Sequence, residues 1–248
     1  MRKVALHCAA TVIGALGITA VASAIQGQHG VKVALQSNRA GTKQKPRSVS
    51  KLTVTTTTNI VPGEAPWAAT AATIHFDKNL VFNSSKFPKC SQTQVQADNS
   101  KCPTGSKVGG GAAQSTLFSG TAVSGTPAPT VTAYNGSNNH LFLLVVNQSP
   151  GVSAVMVGTL KTDTGKYGRK LDIPAIPTVL QNGGFPNLTI SLTQFRTSVG
   201  GTFKGTPFVA LKGCTGGKLN YKADIKFRDN TGAASTASAT NTGTCHSS

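Results

Sequence analysis

Lys218-Leu219-Asn220-Tyr221-Lys222-Ala223-Asp224-Ile225-Lys226-Phe227-Arg228 alternates without a break. Leu219, Tyr221, Ala223, Ile225 and Phe227 fall on one side of an extended chain, and Lys218, Asn220, Lys222, Asp224, Lys226 and Arg228 on the other. Such alternation is the pattern of a β-strand with one face in a core and the other in water. The Asp229-Asn230-Thr231-Gly232 stretch that follows reads as a turn, and Ala233 to Thr240 as a strand returning antiparallel to the first.

Moving upstream, the same period recurs in short segments separated by turn residues. Leu52, Val54, Thr56, Thr58 and Ile60 share one face of a Thr-rich strand that Pro62-Gly63 ends. Trp67–Phe76, Leu80–Phe82, Ser106–Phe118, Gly120–Val123, Thr130–Tyr134, Val152–Leu160, Arg169–Ile173 and the alternating Leu188, Ile190 and Leu192 read likewise. Within His140–Val146, the run from Leu141 is apolar without alternation, which predicts a central strand covered on both faces. Pro174 and Pro177 exclude a central strand there. No segment carries a helical period. Short strands spaced by turns predict an all-β fold: a two-sheet antiparallel sandwich, immunoglobulin-like or jelly-roll-like, forming a single domain over 52–248.

The N-terminus reads differently. Arg2 and Lys3 precede an apolar stretch from Val4 to Ala22, and Ala22-Ser23-Ala24 fits a small-x-small cleavage site. Residues 1–24 are therefore expected to be a signal peptide, with an uncleaved membrane anchor as the alternative. Residues 25–51 hold Lys32, Arg39, Lys43, Lys45, Arg47 and Lys51 and no acid, and are expected to form a disordered basic linker. The formal charge of +17 is not confined to these segments, since +9 remains on 52–248. Charged residues make up only 12% of the chain, about half the usual share, so its surface must be largely uncharged Ser, Thr, Asn and Gln. That composition suits an extracellular β-protein.

Without Cys8 of the leader, four cysteines remain, Cys90, Cys102, Cys214 and Cys245, which permit three pairings. The sequence-local one, Cys90 with Cys102 and Cys214 with Cys245, is expected because the returning last strand brings Cys245 near Cys214. In the chain-entropy model such loops stabilise by about 3 and 4 kcal/mol. No C-x-x-C pair is present and only His246 lies near a cysteine, so neither a metal site nor a cofactor is expected. Three stretches then carry a resemblance: Phe87-Pro88-Lys89-Cys90 through Cys102-Pro103-Thr104-Gly105-Ser106-Lys107-Val108-Gly109-Gly110-Gly111, the segment from Gly158 to Pro174, and Ala210 to Cys245. Together they resemble a group of secreted proteins common in high-GC Gram-positive bacteria. The resemblance implies an exported, disulfide-bonded, immunoglobulin-like sandwich with no established activity. Leu219 departs from it, standing where a tryptophan is expected.

Chemistry is sparse. No G-x-S-x-G elbow occurs, and neither Gly165-Lys166 nor Gly217-Lys218 has the surroundings of a phosphate loop. Gly109-Gly110-Gly111 reads as a bulge or sheet corner. Glu64 and the aspartates look like turn or strand-end residues, apart from Asp224 between Lys222 and Lys226. His75, between Ile74 and Phe76, reads as an outward strand residue more than a general base. No catalytic residue is assigned. The feature with a testable function is the stripe of Lys218, Lys222, Lys226 and Arg228, with Lys212 nearby, which with the basic linker would hold an anionic cell-envelope polymer. No aromatic residues interleave these cations, which disfavours stacking on nucleic-acid bases. The expected function is thus a secreted cell-envelope or extracellular binding or structural module, more a binder than an enzyme. A secreted hydrolase with a site assembled from distant loops, and a protein-recognition module, are the alternatives.

Overall fold

The computed structural model describes residues 29–59, 67–148, 152–178 and 188–247. The expected leader 1–24, the Pro62-Gly63 turn and Glu64 lie outside them. In chain order the elements are β1 (His29–Gln36), β2 (Arg47–Val49), β3 (Lys51–Thr58), β4 (Trp67–Asp77), β5 (Leu80–Phe82) and the short helix α1 (Gln92–Ala97). Then follow β6 (Lys107–Ser119), β7 (Ala122–Gly125), β8 (Thr130–Asn135), β9 (His140–Asn147), β10 (Val152–Thr162) and β11 (Tyr167–Ile173). Last come β12 (Thr189–Gly200), β13 (Thr202–Phe203), β14 (Thr206–Pro207), β15 (Val209–Leu211), β16 (Lys218–Asp229) and β17 (Ala234–Thr244).

One antiparallel sheet runs β1-β3-β12-β6-β8-β9-β10-β11-β4-β16-β17, with β7 paired on β6. Its two end strands, β1 and β17, lie against each other. Just beyond them Arg39 bridges His246, the Ala40 N–H donates to the His246 carbonyl at 2.8 Å, and the His246 N–H donates to that of Asn38 at 3.0 Å. The layers of the expected sandwich are thus opposite walls of one curved, barrel-like sheet. Glycines permit the curvature at β6. A Cβ on Gly109 or Gly111 would lie 1.9 Å from the carbonyl oxygens of Ser198 or Arg196, so only glycine lets β6 pack this closely on β12. The β6–β8 register also shifts between Lys107 and Gly109, the bulge expected of the glycine run.

The alternating segment behaves as its pattern predicts. Leu219, Tyr221, Ala223, Ile225 and Phe227 are all buried, while Lys218, Lys226 and Arg228 are exposed. Each large apolar side chain buried this way contributes about 1.5–3 kcal/mol. The unalternating run in β9 also has its explanation. Leu141 and Leu143 enter the main core, whereas Phe142 and Leu144 pack with Val95 of α1, Cys90 and Tyr134 on the other side.

Two expectations need correction. Residues 29–51 are not a disordered linker: β1 pairs with β3 over its whole length, and Val31, Val33, Ala40 and Val49 are buried. Burial of these apolar positions offsets the ordering entropy that the segment's charge obscured. The folded unit therefore includes the residues from His29 to Lys51 and does not begin at 52. The loop between Cys90 and Cys102 also contains α1, whose start carries a capping box: the Ser91 hydroxyl accepts from the Gln94 N–H at 3.1 Å, and the Ser91 N–H donates to the Gln94 side chain at 3.1 Å. The disulfides pair as expected, Cys90 with Cys102 and Cys214 with Cys245.

Candidate functional site

On the outer face, cross-strand register sets residues in rows. Lys161, Lys170, His75 and Lys222 stand opposite one another across β10, β11, β4 and β16. The adjacent row holds Thr159, Asp172, Thr73, Asp224 and Ser238, reaching β17. A basic row therefore lies beside an acidic one, and the two pair. Lys222 Nζ lies 2.8 Å from Asp224 Oδ2, and Lys161 ion-pairs with Asp172. Hydrogen bonding by the Lys161 ammonium, opposed by partial burial, holds the Asp172 carboxyl below its usual range.

His75 sits at the centre of this pattern. Its Nδ1 is 2.6 Å from Asp163 Oδ2, its Nε2 is 3.0 Å from Asp224 Oδ2, and the Tyr167 ring lies beside it. Asp163 comes from the β10–β11 turn, where its other oxygen accepts from the Thr164 N–H at 3.0 Å. Burial pushes both carboxyls up. Hydrogen bonds from His75 and Thr164 to Asp163, and from Lys222, Ser238 and His75 to Asp224, outweigh it and hold both below the usual carboxylate range. His75 does lie on the outer face, but its side chain is only 14% exposed and clasped between two acids. The set of His, Asp and Ser is not arranged as a nucleophile and base. The Ser238 hydroxyl donates to Asp224, and both ring nitrogens already face carboxylates.

The stripe on β16 is consequently discontinuous. Lys218, Lys222, Lys226 and Arg228 do share its outward face, yet Lys222 is half-buried and paired, which separates Lys218 from Lys226 and Arg228. Lys212 is not on this strand. It follows β15, and its N–H donates to the Asn79 carbonyl at 2.9 Å.

Lys212 and Lys218 belong instead to one end of the barrel, together with cations from the segment expected to be a linker. The Gly41 N–H donates to the Leu211 carbonyl at 2.9 Å and β2 pairs with β15, which sets Arg39, Lys43, Lys45 and Arg47 around Lys212. The Lys78 N–H donates to the Lys166 carbonyl at 3.2 Å, and the Asn79 side chain reaches Thr215 at 3.4 Å. The Cys245 N–H donates to the Gly217 carbonyl at 3.0 Å, bringing in the start of β16. All these cations are exposed except Lys212, which is half-buried. Asp77, at the end of β4, does not answer them. It is 2% exposed, and its carboxylate accepts from the N–H and side-chain amide of Asn79 at 2.9 and 3.0 Å and from those of Asn220 at 2.8 and 3.1 Å. Sequence reading named Lys212 and Lys218 but missed Lys78, Lys166 and the convergence. The cations of 39–47 were visible as a charge run, and their placement depended on the hidden strand pairing of β2.

Among the described residues, no helix is long and apolar enough to cross a membrane. Comparison with protein-family models, with curated proteins and with solved structures returns no match.

Proposed function

We propose that the protein is an exported, extracellular module that binds a phosphate-bearing anionic polymer of the cell envelope at the basic end of its barrel. The observation that carries this reading is the convergence of Arg39, Lys43, Lys45 and Arg47 with Lys78, Lys166, Lys212 and Lys218. The lysine ion pairs among the described residues lie elsewhere, at Lys101, Lys161 and Lys222. Cations without carboxylate partners, held on short backbone-tied loops, leave their charge free for an external polyanion. The polymer is thus held by the end of the molecule more than along the length of β16. Two disulfides and the leader-like residues 1–24 support export, as does the resemblance to secreted proteins of high-GC Gram-positive bacteria.

The test is co-sedimentation of the protein with purified cell envelopes across a salt series. An end variant (Arg39→Gln, Arg47→Gln, Lys212→Gln, Lys218→Gln) is compared with a face variant (Lys222→Gln, Lys226→Gln, Arg228→Gln). Wild-type binding is expected to fall with salt, and the log–log slope of the end variant to be shallower by about one per lost contact. The face variant should bind nearly as wild type. Absence of binding at low salt, or loss confined to the face variant, would overturn the proposal.

A further inference from the structure

Inside the sheet, the barrel interior contains two neighbouring apolar cavities of about 90 Å³ each. Met156, Ile176, Leu192 and Phe195 line both and form the partition between them. The first lies among inward side chains of β3, β4, β9–β12 and β16, running from Leu52 and Phe208 to Thr58, Ala69 and Ile225. The second lies under β6, β9, β10 and β12, bounded by Ala113, Pro129 and Val145. Among the described residues, no Lys, Arg, His, Asp or Glu lines either one.

Three threonines, Thr56, Thr58 and Thr197, interrupt the apolar lining of the first cavity, and the last of them is buried without a partner among the described residues. Thr197 is 8% exposed, opposite Val54 in the β12–β3 pairing, and its hydroxyl has no hydrogen-bond partner among the described residues. A buried hydroxyl is normally satisfied, because it leaves water only at a cost that a partner must offset. Its neighbour Ser198, on the opposite side of β12, does find one, Thr53, at 2.8 Å. The Thr197 hydroxyl is both donor and acceptor, so an alcohol oxygen would meet it fully.

We propose that the barrel interior binds a slender, neutral aliphatic molecule carrying one hydroxyl, its chain in the apolar cavities and its hydroxyl on Thr197. The dimensions favour a single unbranched chain. Each lobe is smaller than the engineered cavity of about 150 Å³ that admits benzene, and a flexible methionine in the partition lets a thin chain pass between them. With no cation among the described lining residues, a carboxylate head is disfavoured, since it would be buried without a counter-charge.

The chain carries its own reporter. Trp67, its only tryptophan, packs against the cluster of Ala69, Ala72 and Ile225, three residues that also line the first cavity. The intact protein is titrated with 1-octanol, below its solubility limit, and with sodium octanoate, following Trp67 fluorescence and thermal midpoint. Octanol is expected to give a saturable fluorescence change and a raised midpoint, with octanoate binding at least tenfold more weakly. Thr197→Val keeps the side-chain shape and removes only the hydroxyl, so it should fold while losing about fivefold in octanol affinity. Ala72→Leu, which fills the cavity wall, should abolish the response while circular dichroism stays that of wild type. The proposal is overturned if octanol gives no saturable change, or if octanoate binds as well as octanol and Thr197→Val leaves both unchanged.

Discussion

Asp224 gathers partners from three strands: His75 of β4, Lys222 of its own β16 and Ser238 of β17. With Asp163 holding the other side of His75, it ties a row of basic residues to acids in a cross-linked patch. Both carboxyls titrate below their usual range when folded, so they bind protons more weakly in the native chain than in the unfolded one. Their contribution to stability is therefore complete above the unfolded carboxylate pKa of about 4 and is lost as pH falls through the lower folded value. The loss that these carboxyls contribute to the thermal midpoint should appear below about pH 4. It lies beneath the separate fall that buried His29, its pKa lowered by burial, contributes as pH drops below about 6.5. Asp224→Asn should lose about 2 kcal/mol at pH 7, since bonds to a charged group are removed, and should show a shallower acid limb. A variant with wild-type stability at pH 7 and an unchanged acid limb would remove the clasp from the stability of the fold. The clasp was not legible in the sequence. His75 lies 88 residues from Asp163 and 149 from Asp224, and nothing local distinguishes either acid from an ordinary turn or surface residue.

Elements were more legible, wherever period two was clean and local. The strand around Tyr221, the hairpin it forms with β17 and the double-sided burial of β9 all follow from the order of apolar and polar residues. The first strand was missed although His29, Val31, Val33 and Leu35 alternate with Gly30, Lys32, Ala34 and Gln36, because its neighbours' charge dominated the reading. Ser91 and Gln94 likewise marked a helix start that is too short to show a helical period. Substitution separates strand from linker directly. Val33→Asp places an unpaired charge in the core and should cost about 3 kcal/mol or more, whereas Lys32→Asp, on the exposed face, should be nearly neutral. Equal, small effects in chemical denaturation would restore the linker. The disulfides make a second prediction at this scale. Paired Cys→Ser replacement of Cys214 and Cys245 should cost about 4 kcal/mol and that of Cys90 and Cys102 about 3. The loops span 31 and 12 residues, and the longer one also fastens the end of β17 beside the start of β16. A reversed order in urea unfolding would show that the α1 loop contributes more than its length implies.

For the whole molecule, charge is distributed unevenly over a continuous sheet. The end built from 39–47, Lys78, Lys166, Lys212 and Lys218 collects cations, while Asp77, at the same end, is turned inward and satisfied by asparagines. The opposite end brings Thr58, Ala69 and Ile225 to the apolar interior, with Lys226 and Arg228 on the outer wall. Cations crowded without counter-charges repel one another, and this repulsion opposes folding. The Debye length shortens from about 30 Å at 0.01 M salt to about 8 Å at 0.15 M, so charges across the end are screened over that range. The thermal midpoint should therefore rise by several degrees between those salt concentrations, since about 1 kcal/mol corresponds to roughly 2–4 °C for a chain of this size. A soluble polyphosphate at low salt should raise it further, because a ligand bound only by the folded state stabilises it by mass action. The end variant should lose both increments while the face variant keeps them, as its cations lie beyond the crowded end. A midpoint that falls with salt, equally in both variants, would mean that the paired rows around His75 outweigh the repulsion of the basic end.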